Sequence, residues 1–375
     1  MNEKILRLWL ASKTGRAAWR AEQLQSYFGS LEAVYEAKLD DYMQLPEMKK
    51  SVAIALSDKS LAREEKIVSD CKEFGINILT PEDKGFNQTL TQISTPVQVI
   101  YTLGEIPDWD SILGIAIVGT RKFSEYGQVA AERLSSELAE AGVTIISGMA
   151  RGIDSFALRS AVRAGMPSVA VMGCGLDQAY PPENRGLMND IIKTGCAISE
   201  YPPCSPPIPQ HFPARNRIVS GLSDGVLAIE APIKSGTLIT TRLAADMGKT
   251  LFAVPGNIFA KNSAGTNELI KQGAIPVTCA QDILEAFSIK SKNLTPPTAL
   301  PEKEAQPVKE DIIEGLSEKE NLIITLLRQK DMHIEEIAAR GGFTIAELNG
   351  MLTMLEIEGY ILKTAGSIYK CNLEK

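Results

Sequence analysis

The chain has 375 residues, 44% of them hydrophobic and 23% charged, with a formal net charge of −7. That length exceeds one ordinary core and predicts two or three domains, while the acidic balance excludes a protein that coats nucleic acid through bulk charge, so any polyanion must be held locally. Six cysteines with no C-x-x-C pair, and only two histidines, His211 and His333, argue against a zinc site or a disulfide scaffold and for reduced thiols.

The N-terminus, MNEKILRLWLAS, places Glu3 ahead of a short apolar run broken by Lys4 and Arg7, which does not read as a secretory signal. No stretch approaches the roughly 18 apolar residues of a membrane span, and a cytoplasmic protein is expected. Residues 1–85 carry short segments of helical period (EKILRLWLA, RAEQLQSYFG, SLEAVYEAK, LDDYMQL, REEKIVSDCKEFG) separated by Gly, Pro and Ser, with Gly29 and Ser30 as a stop and a new cap. They predict a small helical domain, of the SAM or helix-hairpin-helix kind, that either touches DNA or protein or serves only to pack.

From Gly114 the pattern changes. GIAIVGT, VTIISG, SVAVMG, CAISE, GVLAIEA, TLFAVPG and AIPVTC are nearly unbroken apolar runs alternating with segments of helical period such as YGQVAAERLSSELAEAG. Such runs predict strands buried on both faces, so residues 86–287 are expected to form an α/β domain with an extended Rossmann-like, doubly wound parallel sheet. Residues 288–317, rich in Pro and charge, predict an extended linker. Residues 318–375 resume with EKENLIITLLRQ, HIEEIAARGG and TIAELNGMLTMLEIEGY and close on two short runs around Gly366, the order of a winged helix.

In an open parallel sheet, ligands collect beyond the carboxyl ends of the strands, where helix N-termini present free N–H groups. The loops at those ends hold Gly119, Arg121, Lys122 and Ser124; Gly148, Arg151, Gly152 and Asp154; the segment HFPARNR; and Lys234, Ser235, Gly236, Thr237 and Arg242. Residues 112–287 contain fifteen Lys plus Arg and fifteen Asp plus Glu, so the domain is neutral as a whole. Arg121, Lys122, Arg151, Arg215, Arg217 and Lys234 would still gather on one rim and hold phosphates there.

Two motifs point elsewhere and fail on inspection. GTRKFSEYG is not G-x-G-x-x-G, because Arg121 stands where a second glycine must let a pyrophosphate reach the backbone, and no cofactor is expected. APIKSGTLITTR shares Gly and Thr with the P-G-G-x-G-T-x-x-E loop of nucleotide-cleaving α/β proteins, but Thr240 occupies the glutamate position. Phosphate cradling by Ser235, Gly236 and Thr237 at a helix start survives that loss. Asp154 reads as a helix cap, and His211 has no companion nucleophile, so neither a catalytic residue nor a metal site is assigned.

HFPARNR offers what an unpaired strand needs: Arg215 and Arg217 for phosphates, Asn216 as a polar contact and Phe212 as a stacking face. In the competing reading Phe212 plugs the core and the arginines pair with acids across the cleft.

IAIVGTRKFSEYG, IISGMARGIDSFA, VMGCGLDQAYPPEN, ISEYPP, HFPARNRIVSGLS, SGTLITTRLA, FAVPGNI and GTNELIKQGA, in this order and spacing, resemble the bacterial DNA-processing protein A (DprA/Smf) family from about Thr80 to Ala286. The resemblance implies a sequence-independent single-stranded DNA binder without catalytic activity that protects incoming DNA and loads the recombinase RecA in natural transformation and recombination. It also implies a homodimer formed through the Rossmann-like domain. Carried over by position, the DNA pocket comprises Gly119, Arg121, Gly148, Arg151, Phe212, Arg215, Asn216, Arg217, Ser235, Gly236 and Thr237; Lys122 and Lys234 are added on charge alone. Thr120 departs from the usual serine, and Leu158 from a frequent histidine, which removes any role for an imidazole there. The alternatives are an enzyme of related topology acting on a nucleoside phosphate, and an adaptor working through the winged helix. Residues 318–375 hold seven Lys plus Arg against nine Asp plus Glu, too acidic for a reader of duplex DNA.

Overall fold

A computed structural model describes residues 3–15, 19–287, 316–329, 332–363 and 368–372. The chain divides into two compact units, Met1–Pro296 and Pro297–Lys375. The expected linker lies outside the described residues except for Leu316 and Ser317, as does the turn at Gly366.

The first unit opens with helices α1 (Glu3–Thr14), α2 (Trp19–Phe28), α3 (Leu31–Glu36), α4 (Leu39–Met43), α5 (Lys50–Ser57) and α6 (Ala62–Glu73). Ser30 caps α3, accepting a hydrogen bond from Ala33 N at 3.1 Å. Leu6, Trp9, Leu10, Leu24, Val34, Tyr42 and Leu56 form the helices' own core. The opposite stripe of α1 and α6, with Leu8 and Cys71, packs instead on the sheet beside Ile76 and Tyr101. The buried Arg7 guanidinium reaches across to Gln98 Oε1 at 3.3 Å and to Glu82. The helices are therefore fastened to the sheet, and the sheet takes its first strand from Asn77–Leu79, ahead of the boundary expected near residue 85.

The sheet runs β1 (Asn77–Leu79), β2 (Ile100–Gly104), β3 (Gly114–Val118), β4 (Thr144–Ser147), β5 (Ser168–Met172), β6 (Cys196–Ser199), β7 (Gly225–Ala228), β8 (Thr250–Ala253) and β9 (Ile275–Pro276), in the spatial order 1-2-6-5-4-3-7-8-9. The seven runs read as strands from the sequence are β3 to β9, and they pair in parallel. An antiparallel edge, β1 on β2 and β2 on β6, was not anticipated. Helices α7 (Thr89–Gln92), α8 (Glu125–Glu140), α9 (Ile153–Arg163), α10 (Arg185–Thr194), α11 (His211–Leu222), α12 (Gly236–Asp246), α13 (Ala264–Lys271) and α14 (Ala280–Ala286) connect and cover the strands.

Alternate residues feed two cores, as the two-residue period of a strand dictates. Ile115 and Ile117 of β3 join α8, α9 and α14 on one face; Ala116 and Val118 join α11 and α12 on the other. Strands β3 to β6 build in one direction and β7 to β9 in the other, so the order reverses between β3 and β7. That reversal opens a crevice at the carboxyl ends of those two strands. Among the described residues no helix is long and apolar enough to cross a membrane, and the six cysteines form no disulfide.

The second unit contains α15 (Glu318–Gln329), β10 (Met332–His333), α16 (Ile334–Gly341), α17 (Ile345–Ile357), β11 (Ile361–Lys363) and β12 (Ile368–Cys371), with strand order β10-β12-β11. Ile323, Leu327, Leu348, Leu352, Ile361 and Tyr369 make its core, and a Thr344–Glu347 capping box starts α17. This is the winged-helix arrangement expected from the sequence.

Leu138 of α8 is fully buried against the sheet. Leu138→Ala is expected to cost about 2–5 kcal/mol, read as a lower urea midpoint with an unchanged slope; an unaltered midpoint would show that this face is not the core.

Candidate functional site

The crevice between β3 and β7 is a cleft of about 470 Å³. Eleven of the thirteen residues expected at the site line it: Gly119, Arg121 and Lys122 after β3, Gly148 after β4, Phe212, Arg215 and Asn216 on α11, and Lys234, Ser235, Gly236 and Thr237 entering α12. Arg151 and Arg217 do not. The exposed Arg151 turns outward into a bidentate pair with Glu183, and the buried Arg217 pairs with Glu200 behind α11.

The floor of the cleft is electrostatic. Arg215 is 3% exposed and donates to the backbone carbonyls of Gly148, at 2.7 Å, and Val171. The buried Asp154 carboxylate lies beside it, and the nearby backbone N–H groups of Ala150 and Gly119 favour its charged form. Burial pushes the Asp154 carboxyl up from its ordinary range against the pull of Arg215, and burial pulls the Arg215 guanidinium down from 12.5 to about 10. Asp154 is therefore not the helix cap expected from the sequence; the N-cap of α9 is Gly152. Gly148 is required by this pair, because a Cβ there would fall on Arg215 Nη2 and lie 2.7 Å from Asp154 Oδ2. Gly119 meets Ile153 so closely that a Cβ would lie 2.6 Å from that side chain's own Cβ.

The walls differ in character. Phe212 is half-buried, with its ring 5.2 Å from that of Tyr180 and the Arg121 guanidinium 5.9 Å over its face. Arg121, Lys122 and Lys234 are exposed, and Asp154 is the one carboxylate lining the cleft. At the far wall α12 begins at Ser235, whose side chain makes no capping bond and whose Oγ is buried with no hydrogen-bond partner among the described residues. Helix α11 likewise starts without a side-chain cap. Two uncapped helix N-termini and three exposed cations surround a floor whose one lining acid is buried, so the cleft presents N–H groups and positive charge beside a flat aromatic surface, the chemistry that suits an anion.

Glu230, at the end of β7, holds this rim in shape although no role was assigned to it from the sequence. Its buried carboxylate accepts from Ser124 N at 2.9 Å, Ser124 Oγ and Asn262 Nδ2, and its carbonyl accepts from Thr120 N at 2.8 Å. The 120–124 loop carrying Arg121 and Lys122 is thereby tied to the strand next door. His211 lies outside the cleft, stacked on Tyr201 at 3.7 Å with Nδ1 3.1 Å from Gly173 O. Thr240 is buried within α12, its hydroxyl directed to Gly236 O at 3.4 Å.

A family model described as DNA recombination-mediator protein A matches residues 77–288. The chain belongs to this family. A DprA winged helix domain model matches residues 297–367. Protein Smf of Synechocystis is 33% identical over 316 residues, spanning 78% of this chain and 79% of its own length. DNA processing protein DprA of Bacillus subtilis is 35% identical over 232 residues, 62% of this chain and 78% of its own. The crystal structure of DNA processing protein A from Streptococcus pneumoniae superposes with a TM-score of 0.64 at 30% identity, covering 77% of this chain and 100% of that one. A Helicobacter pylori DNA processing protein A, whose structure is described as showing a unique single-stranded DNA binding mode, gives a TM-score of 0.52 at 32% identity over 56% of this chain and 95% of its own.

Tyr180 and Asp154 also line the cleft, although neither was placed in the DNA site from the sequence; Tyr180 stands in the loop after β5 and pairs with Phe212, and Asp154 stands in the first turn of α9.

Because Arg215 satisfies the buried carbonyls of Gly148 and Val171, Arg215→Ala is expected to destabilise the DNA-free protein by about 1–3 kcal/mol, as when buried acceptors lose their donor. Urea unfolding without any oligonucleotide checks this; full stability would recast Arg215 as a ligand contact alone.

Proposed function

We propose that the cleft binds single-stranded DNA without regard to sequence and without altering it. Arg121, Lys122 and Lys234 neutralise phosphates, the start of α12 at Ser235, Gly236 and Thr237 accepts one more, and Phe212 with Tyr180 stacks an unpaired base. Asn216 and the Gly119 and Gly148 turns shape the pocket, and Arg215 acts mainly from below by holding two backbone carbonyls in place. Arg151 and Arg217 contribute from their ion pairs at the margins, Arg151 by exchanging Glu183 for a phosphate.

The observation that carries this reading is the pairing of exposed cations with an aromatic face in one crevice that contains a single, buried acid. The single-stranded DNA binding described for the Helicobacter pylori relative supports it. Binding without chemistry is favoured by the positions of the two groups a hydrolytic reading needs: Thr240 is inside a helix where a glutamate would be required, and His211 is stacked away from the cleft.

Membership of a family of recombination mediators supports a cytoplasmic role in transformation and recombination, in which the protein shields incoming strands and loads RecA on them. A homodimer through the sheet unit is supported by Ile258 and Phe259, which stand 80% and 90% exposed in the loop between β8 and α13. The acidic winged helix suits a protein contact better than a duplex groove.

Arg121→Ala and Lys234→Ala are expected to weaken oligothymidylate and oligodeoxycytidylate alike, and each to reduce the slope of log K against log salt by about 0.7. Fluorescence anisotropy across a salt series measures both quantities. Unchanged affinity in the two variants, or turnover of nucleoside phosphates by the purified protein, would refute the proposal.

A further inference from the structure

We propose a second base subsite: a pocket of about 210 Å³ between α1, α6 and the antiparallel edge of the sheet takes an unstacked nucleobase from the same strand. The proposal rests on the reading of the cleft as a DNA site. Its own support is a polar group that the fold leaves unsatisfied.

Gln98 is 2% exposed. Arg7 Nη1 donates to its Oε1 at 3.3 Å, which fixes the amide orientation. Its Nε2 has no hydrogen-bond partner among the described residues, and Gln98 lines the pocket. A buried amide donor gains from an acceptor, and the pocket that Gln98 lines is where a ligand can supply one. The remaining lining states what carries that acceptor. Leu8, Ile67 and Val99 supply apolar walls, Tyr101 and Tyr201 supply rings, and the exposed Arg63 stands at the rim. A flat heterocycle with a ring carbonyl, joined to a phosphate, satisfies all three: carbonyl to Gln98 Nε2, faces to the apolar walls, phosphate to Arg63.

The location favours a strand over a free metabolite. Helix α11 stands between the two pockets and serves both with its first two turns. Phe212 and Asn216 line the cleft, while His211 stacks on Tyr201 and Arg217 pairs with Glu200, and Tyr201 and Glu200 line the second pocket. One helix and the side chains stacked and paired on it separate the two pockets, so a strand seated on Phe212 that passes α11 meets the second pocket.

The test uses the full chain and oligothymidylates of rising length. Ile67→Trp fills the pocket from α6 without touching the Arg7–Gln98 bond, and Gln98→Leu removes the donor. Both variants are expected to bind the shortest oligomers like the wild type and to lose about threefold to tenfold of the affinity gained by longer ones, the effect of one hydrogen bond. Oligomers carrying 5-iododeoxyuridine are expected to photocrosslink to Tyr101 or Tyr201. If Ile67→Trp leaves long-oligomer affinity unchanged and neither tyrosine crosslinks, the subsite is refuted while the cleft stands; if the wild type binds no oligomer of any length, both readings fall together.

Discussion

The structure of the cleft depends on one buried guanidinium. Arg215 enters from α11, beneath the crevice, and donates to the carbonyls of Gly148 and Val171, with the buried Asp154 carboxylate near it at the start of α9. Those carbonyls belong to the ends of β4 and β5. A single guanidinium therefore ties two strand ends to one helix, and the carbonyls offset the hydration that the buried charge gives up. Glu230 does the same on the neighbouring side by collecting Ser124 and Asn262 and so fixing the loop of Arg121 and Lys122.

This arrangement separates two jobs that the sequence presents as one. The segment HFPARNR reads as a cluster of contacts, yet its two arginines are 3% and 7% exposed, Arg215 bonded to two backbone carbonyls and Arg217 to Glu200. The exposed charge around the cleft comes from Arg121, Lys122 and Lys234 on loops, whose side chains remain in water until a polyanion replaces it. Buried cations hold shape and exposed cations hold ligand. An acidic protein can then grip phosphates locally, because the carboxylate lining its cleft is buried near a guanidinium while the exposed charges around it are positive.

The fold was largely legible in the sequence. Each parallel strand is a run of residues apolar on both faces, and such runs do not suit any other element at that length. The antiparallel edge escaped because VQVIYTLG lies apart from the alternating strand–helix series and pairs with a three-residue strand that carries no periodic signal. The site was legible to the extent that strand ends select loop residues. Whether an arginine in such a segment faces the cleft, a carbonyl or a distant acid is decided by tertiary partners: Arg151 finds Glu183, Arg217 finds Glu200 and Arg215 finds the carbonyls of Gly148 and Val171, and no local pattern encodes those pairings. The aromatic surface was half seen, since Phe212 stands in a motif but its companion Tyr180 reaches it from another loop.

The central claim is that an unpaired strand lies along the crevice between β3 and β7. Amide hydrogen exchange of the full chain, with and without saturating oligothymidylate, tests it most directly. The account predicts slowed exchange in residues 119–124 and 235–238, where loop and helix-start amides meet phosphate, with the loops at the opposite ends of β3 and β7 unchanged. Protection confined to the winged-helix unit, or spread over the opposite end of the sheet with the crevice unaffected, would contradict it.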